Sequence, residues 1–162
     1  MSESNEVIAH SDLSKSKLDA EDLELGGEGT RVYHESDVGE MDSLHDGRRK
    51  TVLINEGLVP AAGDLLIDVV DYDPGVSCPV HYHDGTDHFF YILEGEGVLE
   101  VEGEEIELSQ GSVAWIGEGD SHRLFAREGQ EGMRVFEYFS NGDHESVFED
   151  EECSWSPDSV DE

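Results

Sequence analysis

The sequence predicts an all-β fold, a sandwich or a barrel, and three observations point there. Short apolar runs recur from Thr51 to Phe139 at a spacing of roughly 8–12 residues. Glycine-bearing turns separate them, as at Gly95, Gly97, Gly103 and Gly111. Glu105-Ile106-Glu107-Leu108 alternates acidic and apolar residues, the pattern of a half-exposed strand. Nothing in this spacing leaves room for the helices of βαβ units.

Taken in order, residues 1–30 hold few large apolar side chains and read as a mobile acidic arm, with a short helix near Leu18–Leu25. Residues 31–142 form the single folded domain that a chain of 162 residues implies. Arg31–His34 is a candidate first strand. Residues 35–50 are polar and end in Arg48-Arg49-Lys50, three adjacent cations suited to pairing with acidic neighbours or to binding an anion. Thr51–Asn55 and Leu65–Tyr72 are strands, the second closed by Asp73-Pro74-Gly75. Phe89–Leu93 follows, then a turn at Glu94–Gly97, then the strand Val98–Val101. Glu105–Leu108, Ser112–Ile116, His122–Ala126 and the aromatic-rich Met133–Phe139 complete the set. Residues 143–162 read as a second acidic arm, with Phe148, Trp155 and Pro157 able to fix part of it onto the body.

Charge narrows the function. The chain carries 41 acids against 9 bases, a formal net charge of -32. The acidity covers the folded region as well as the arms. General electrostatics therefore exclude nucleic acid and anionic membrane as partners. Self-repulsion of this size destabilises a compact state, and salt screens it, with a Debye length of roughly 3 Å at 1 M. The composition is that of a protein built for a very salty cytoplasm, as in halophiles. Cys78 and Cys153 are too few for a disulfide framework. With no basic-then-apolar leader and no span-length apolar run, a soluble cytoplasmic protein is expected.

The chemistry concentrates in Gly75–Gly95. His81 and His83 are two apart, so on a strand they leave one face. Asp84–Asp87 reads as a tight turn and His88 opens the next strand, so a hairpin would gather three imidazoles. Imidazole is the commonest side-chain ligand of divalent transition metals. His122 begins a later strand, which a barrel of consecutive hairpins can set beside the first. Alternation puts Phe90 and Ile92 on the face of His88, and Leu124 and Ala126 on the face of His122, a mostly apolar pocket. Either Met133, Val135 and Glu137 or Arg134, Phe136 and Tyr138 line its far wall. Glu137 is the one candidate general base.

Two stretches together resemble the cupin superfamily. Gly75, five residues, His81-Tyr82-His83, four residues, His88, six residues and Gly95 match the spacing of the first cupin motif, with His88 where most members carry Glu. Gly111, five residues, Gly117-Glu118-Gly119, two residues and His122 match the second, with Gly117 in place of Pro and Ala126 in place of Asn. The likeness covers about residues 60–140.

It implies a small antiparallel β-barrel, the double-stranded β-helix or jelly roll. It also implies one divalent transition metal ion (Fe, Mn, Ni, Co, Cu or Zn) held by His81, His83, His88 and His122. Asp87, three residues after His83, is the alternative third ligand. Four neutral imidazoles would leave the full dipositive charge on the ion, which suits an anionic or enolising substrate. The expected function is a dioxygenase-like enzyme acting on a small molecule. A non-oxidative isomerase, lyase or decarboxylase and a non-catalytic binding protein are the alternatives. Small cupins pair through sheet edges and arms, so a homodimer is expected.

Overall fold

The computed structural model describes residues 30–38, 40–43 and 47–141, and the strand backbones at 6–9, 24–26 and 145–148. In chain order the strands are β1 (Glu6–Ala9), β2 (Glu24–Gly26), β3 (Thr30–Val32), β4 (Met41–Asp42), β5 (Arg49–Ile54) and β6 (Leu66–Tyr72). They continue as β7 (His81–Asp84), β8 (His88–Val101), β9 (Glu104–Ser109), β10 (Val113–Ile116), β11 (His122–Phe125), β12 (Met133–Phe139) and β13 (Glu145–Phe148). A single-turn helix, α1 (Glu35–Val38), precedes β4. The all-β jelly-roll expectation holds.

The barrel is a curled antiparallel sheet whose two halves share β8. Its first half, His88 to Gly95, pairs with β12, and β12 continues to β6, β5 and β4. Its second half pairs with β11 and β9, and β11 continues to β7, β13 and β1. The turn expected at Glu94–Gly97 is absent, and the strand runs straight through it for 14 residues. The glycines serve a different purpose there. Gly95 has φ 87°, and a Cβ on it would stand 1.9 Å from the Gly132 carbonyl oxygen. The ladder on β12 slips beside it, between Arg134 and Val135. Gly95 therefore lets β8 bend hard against the 132–133 backbone and change partners, as at a bulge.

The expected hairpin of histidines is also different. β7 pairs with β11 and β13, whereas His88–Tyr91 pairs with β10 and β12. The Asp84–Asp87 turn carries the chain from one half-sheet to the other. The imidazoles thus converge across the barrel interior rather than along one ladder. Asn141 and Ser140 hold that turn: the Ser140 Oγ accepts the Asp87 N–H at 2.8 Å, and Asn141 Nδ2 donates to the Gly85 carbonyl at 3.1 Å.

Three strands, β1, β2 and β13, fall in the stretches read as acidic arms. β1 pairs with β13, and β13 pairs with β7, Phe148 standing opposite His81. The helix expected near Leu18–Leu25 lies mostly outside the described residues, and its end, Glu24–Leu25, is in β2. Val147 and Phe148 share β13; Trp155 and Pro157 lie outside the described residues.

The core fills the interior with one side chain from every second position: Val70 and Tyr72 from β6, Phe90 and Ile92 from β8, Leu124 from β11, Met133, Val135 and Phe139 from β12. No helix among the described residues is long and apolar enough to cross a membrane.

Candidate metal centre

Three strands deliver the imidazoles. His81 and His83 point inward from β7, and His122, directly opposite His81 on β11, joins them. One ring nitrogen from each of His81, His83 and His122 lies within 4.8 Å of the others. The ring centroids of His81 and His122 are 4.5 Å apart, and those of His81 and His83 4.7 Å.

The tautomers favour an ion. His81 Nδ1 donates to the Pro79 carbonyl at 2.6 Å, and His122 Nδ1 donates to the Asp120 carbonyl at 2.9 Å. A carbonyl only accepts, so each Nδ1 carries the proton and each Nε2 keeps its lone pair. Burial holds His81 well below its ordinary pKa and brings His122 down to about 4. These imidazoles are neutral at neutral pH, the form that ligates. The donor set therefore fits a divalent transition metal ion.

His88 stands one step back. Its ring stacks on Phe139, its register partner on β12, with centroids 4.1 Å apart and planes at 11°. Its centroid is 4.9 Å from that of His83 and 5.8 Å from that of His122. Its Nε2 lies 3.5 Å from Glu137 Oε2, and neither of its ring nitrogens, both buried, has a hydrogen-bond partner among the described residues. Burial pulls its pKa to about 3. Asp87, the alternative ligand, is exposed, and its peptide group pairs with Ser140 at the barrel rim.

The cavity beside this group has a volume of about 40 Å³. Phe90 and Leu124 line it, while Ile92 and Ala126 sit in the surrounding core. Of the two registers left open for β12, the one with Met133, Val135 and Glu137 faces inward, and Glu137 reaches the cavity.

The interior also holds charged residues not placed in the site from sequence. Asp68 on β6 faces Glu137 directly across the ladder. It is fully buried, with Lys50 Nζ 3.9 Å away and no hydrogen-bond partner on either carboxyl oxygen among the described residues. Burial first, and the Glu137 charge second, push its pKa well up, against the pull of the Lys50 charge. Arg48 and Lys50 point inward to line the cavity, while Arg49 between them turns out and forks onto Asp73 with two contacts of 3.2 Å. Alternation carried the signal: Lys50 and Val52 lie on one face of β5, with Arg48 two positions earlier just before the strand, and Leu66, Asp68, Val70 and Tyr72 on one face of β6. Cys78 is a buried thiol whose Sγ accepts the Leu124 N–H at 3.1 Å.

Comparison with known proteins agrees with this architecture. Residues 68–139 match the cupin domain family. The tetracenomycin polyketide synthase protein TcmJ of Streptomyces glaucescens is 32% identical over 68 residues, 42% of this chain and 46% of that protein. The chain thus spans less than half the length of that relative. The dimethylsulfoniopropionate lyase DddW of Ruegeria pomeroyi is 29% identical over 131 residues, 80% of this chain and 75% of that protein. The polyketide cyclase RemF of Streptomyces resistomycificus superposes with a TM-score of 0.59 at 19% identity, covering 80% of this chain and 91% of its own. The fold of this chain is a cupin fold, and residues 68–139 are the stretch within it that matches the cupin domain family.

Proposed function

We propose that the chain is a mononuclear metal-dependent enzyme that moves a proton on a small organic substrate, as a lyase, cyclase or decarboxylase does. One observation carries this reading: Glu137 lines the same cavity as the three-histidine group and stands 3.5 Å from His88. A carboxylate so placed can take or return a proton at a substrate carbon. His81, His83 and His122 would hold the ion, which when bound supplies Lewis acidity. His88, clamped flat on Phe139, positions Glu137. Asp68 faces Glu137 across the ladder, and burial raises its pKa, which disfavours a second negative charge behind Glu137. The cavity has room for roughly three water-sized groups, so a bound substrate displaces solvent. The similarity to a protein named as a lyase, across four-fifths of this chain, supports a non-oxidative reaction.

The test is elemental analysis at high salt, joined to deuterium uptake from solvent by candidate keto and carboxylic acids. About one ion per chain is expected, lost in His81→Ala, His83→Ala and His122→Ala and kept in His88→Ala. Glu137→Gln should keep the ion and lose the exchange. Oxygen consumption that depends on a bound redox-active ion would overturn this reading in favour of the oxygenase.

The working unit we propose is a homodimer. Tyr91, Val113 and Trp115 form an exposed apolar outer face on β8 and β10, and none of the described residues 88–93 and 113–116 that pair there is acidic.

A further inference from the structure

Residues 117–121 join β10 to β11 and lead straight into His122. Three successive residues of this loop reach the imidazole cluster. The Asp120 carbonyl accepts the His122 Nδ1 proton at 2.9 Å. The Gly119 N–H donates to the His83 carbonyl at 3.1 Å. Glu118 Oε2 accepts the Gly85 N–H at 2.6 Å, on the turn that leaves β7 just after His83. One short loop thus touches the ring of one histidine, the backbone of a second and the turn beyond it.

The link matters because the two histidine strands meet so briefly. The ladder between β7 and β11 has one pair, His81–His122. His83 lies beyond that pair, where the loop takes over from the ladder. The loop is soft in itself. Glycines flank Glu118 at 117 and 119, Gly119 has φ 83°, and no proline restricts the chain there. Its far end is held by Glu102, whose N–H donates to the Ser121 carbonyl at 3.0 Å and whose Oε1 accepts the Ser121 N–H at 3.3 Å. Its tip is held by Glu118. The receiving turn is firm, because Asn141 and Ser140 fix it from the other side. Exposed carboxylates are the rule in this chain, but this one closes a charge-assisted bond to a peptide 33 residues away.

We propose that Glu118 is a positioning residue of the metal centre. Its bond to Gly85 seats the loop, and the loop, through Gly119 and Asp120, holds His83 and His122 in place beside each other. This rests on the metal-centre reading above and names what keeps two of its ligands together. Groups that orient ligating imidazoles commonly change metal affinity by about 10–100-fold when removed. Glu118 acts one bond further out, so a smaller effect is expected, and it should show in how fast a bound ion leaves.

The experiment loads the full chain with Co²⁺ at fixed high salt and follows release of the ion into excess EDTA by the decay of its visible absorption. Glu118→Ala should release Co²⁺ about fivefold faster or more. Glu118→Gln, whose amide oxygen still accepts the Gly85 N–H, should stay within about twofold of the parent. Glu118→Asp keeps the charge but falls one methylene short. It should release faster than the Gln variant, and it replaces Glu118→Ala should that chain fail to fold. Release at the parent's rate from the Ala and Asp variants overturns the proposal. So does equal acceleration in the Gln variant, which would assign the effect to the lost charge. If the parent takes up no Co²⁺, the metal reading fails, and the Glu118 contact is judged by amide hydrogen exchange in the same proteins. Gly85 and Gly119 should then lose protection in Glu118→Ala and keep it in Glu118→Gln, and equal protection in all of them overturns it.

Discussion

At the level of single residues, His88 shows best what spacing reveals and what it hides. Its position in the motif suggested a fourth metal ligand; it lines the cavity but lies outside the three-histidine group. Its orientation came from Phe139, a residue 51 positions later that sequence spacing does not connect to it. Arg48, Lys50 and Asp68 were overlooked for a different reason. In a chain where nearly a third of the residues are charged, one more charge in a strand reads as surface, and only strict alternation singles out the inner ones. The buried imidazoles have a measurable consequence in the metal-free protein. His88 titrates at about 3 when folded and near 6.5 when unfolded, so below pH 6.5 the unfolded chain takes up a proton that the folded chain refuses. Stability is then lost as pH falls, by up to about 1.4 kcal/mol per pH unit for that one group. The stability difference between parent and His88→Gln, followed by denaturant melts from pH 7 to pH 5, should shift against the parent as acid is added. A difference that is flat across that range would show that folding leaves the titration of His88 unchanged.

At the level of elements, most strands were legible because period-2 alternation survives in half-buried β-structure. Met133–Phe139 has the bounds its aromatic run suggested. The misreading came at Gly95 and Gly97, where two glycines in four residues look like a turn. They are a bend inside a strand, forced by the approach of the 132–133 backbone, and that approach is a long-range fact. Gly95→Ala should therefore be costly: its Cβ meets a carbonyl oxygen at 1.9 Å and its φ of 87° is unfavourable for alanine. A loss of more than about 2 kcal/mol in urea melts is expected. Gly103→Ala shares the positive φ but meets nothing within 4 Å, so it should lose only about 1 kcal/mol. Equal losses at the two positions would mean that crowding at the bend is relieved at no cost.

For the molecule as a whole, the -32 charge governs behaviour. Glu100 on β8 stands directly opposite Glu105 on β9, a like-charge cross-strand pair that costs stability in dilute buffer. The surface arginines are already committed: Arg123 to Glu100, Arg127 to Glu105 and Glu107, Arg134 to Glu35 and Asp71. Further neutralisation must come from solvent ions. One salt series, from 0.1 M to 3 M KCl, read by thermal melting and light scattering, should show a rising Tm and a dimer at the high end. A Tm that does not move with salt would contradict the expected adaptation to a salty interior, and a monomer at 3 M would contradict the proposed dimer.

β13 brings one further dependency. It flanks β7 along the whole length that carries His81 and His83, while β11 touches β7 through a single residue pair. A protease that removed everything after Asn141 would spare every imidazole of the site, yet the segment presenting two of them would lose its longer neighbour. β13 is thus a splint for the segment that carries His81 and His83, and nicking it would loosen the histidine group from outside the cavity.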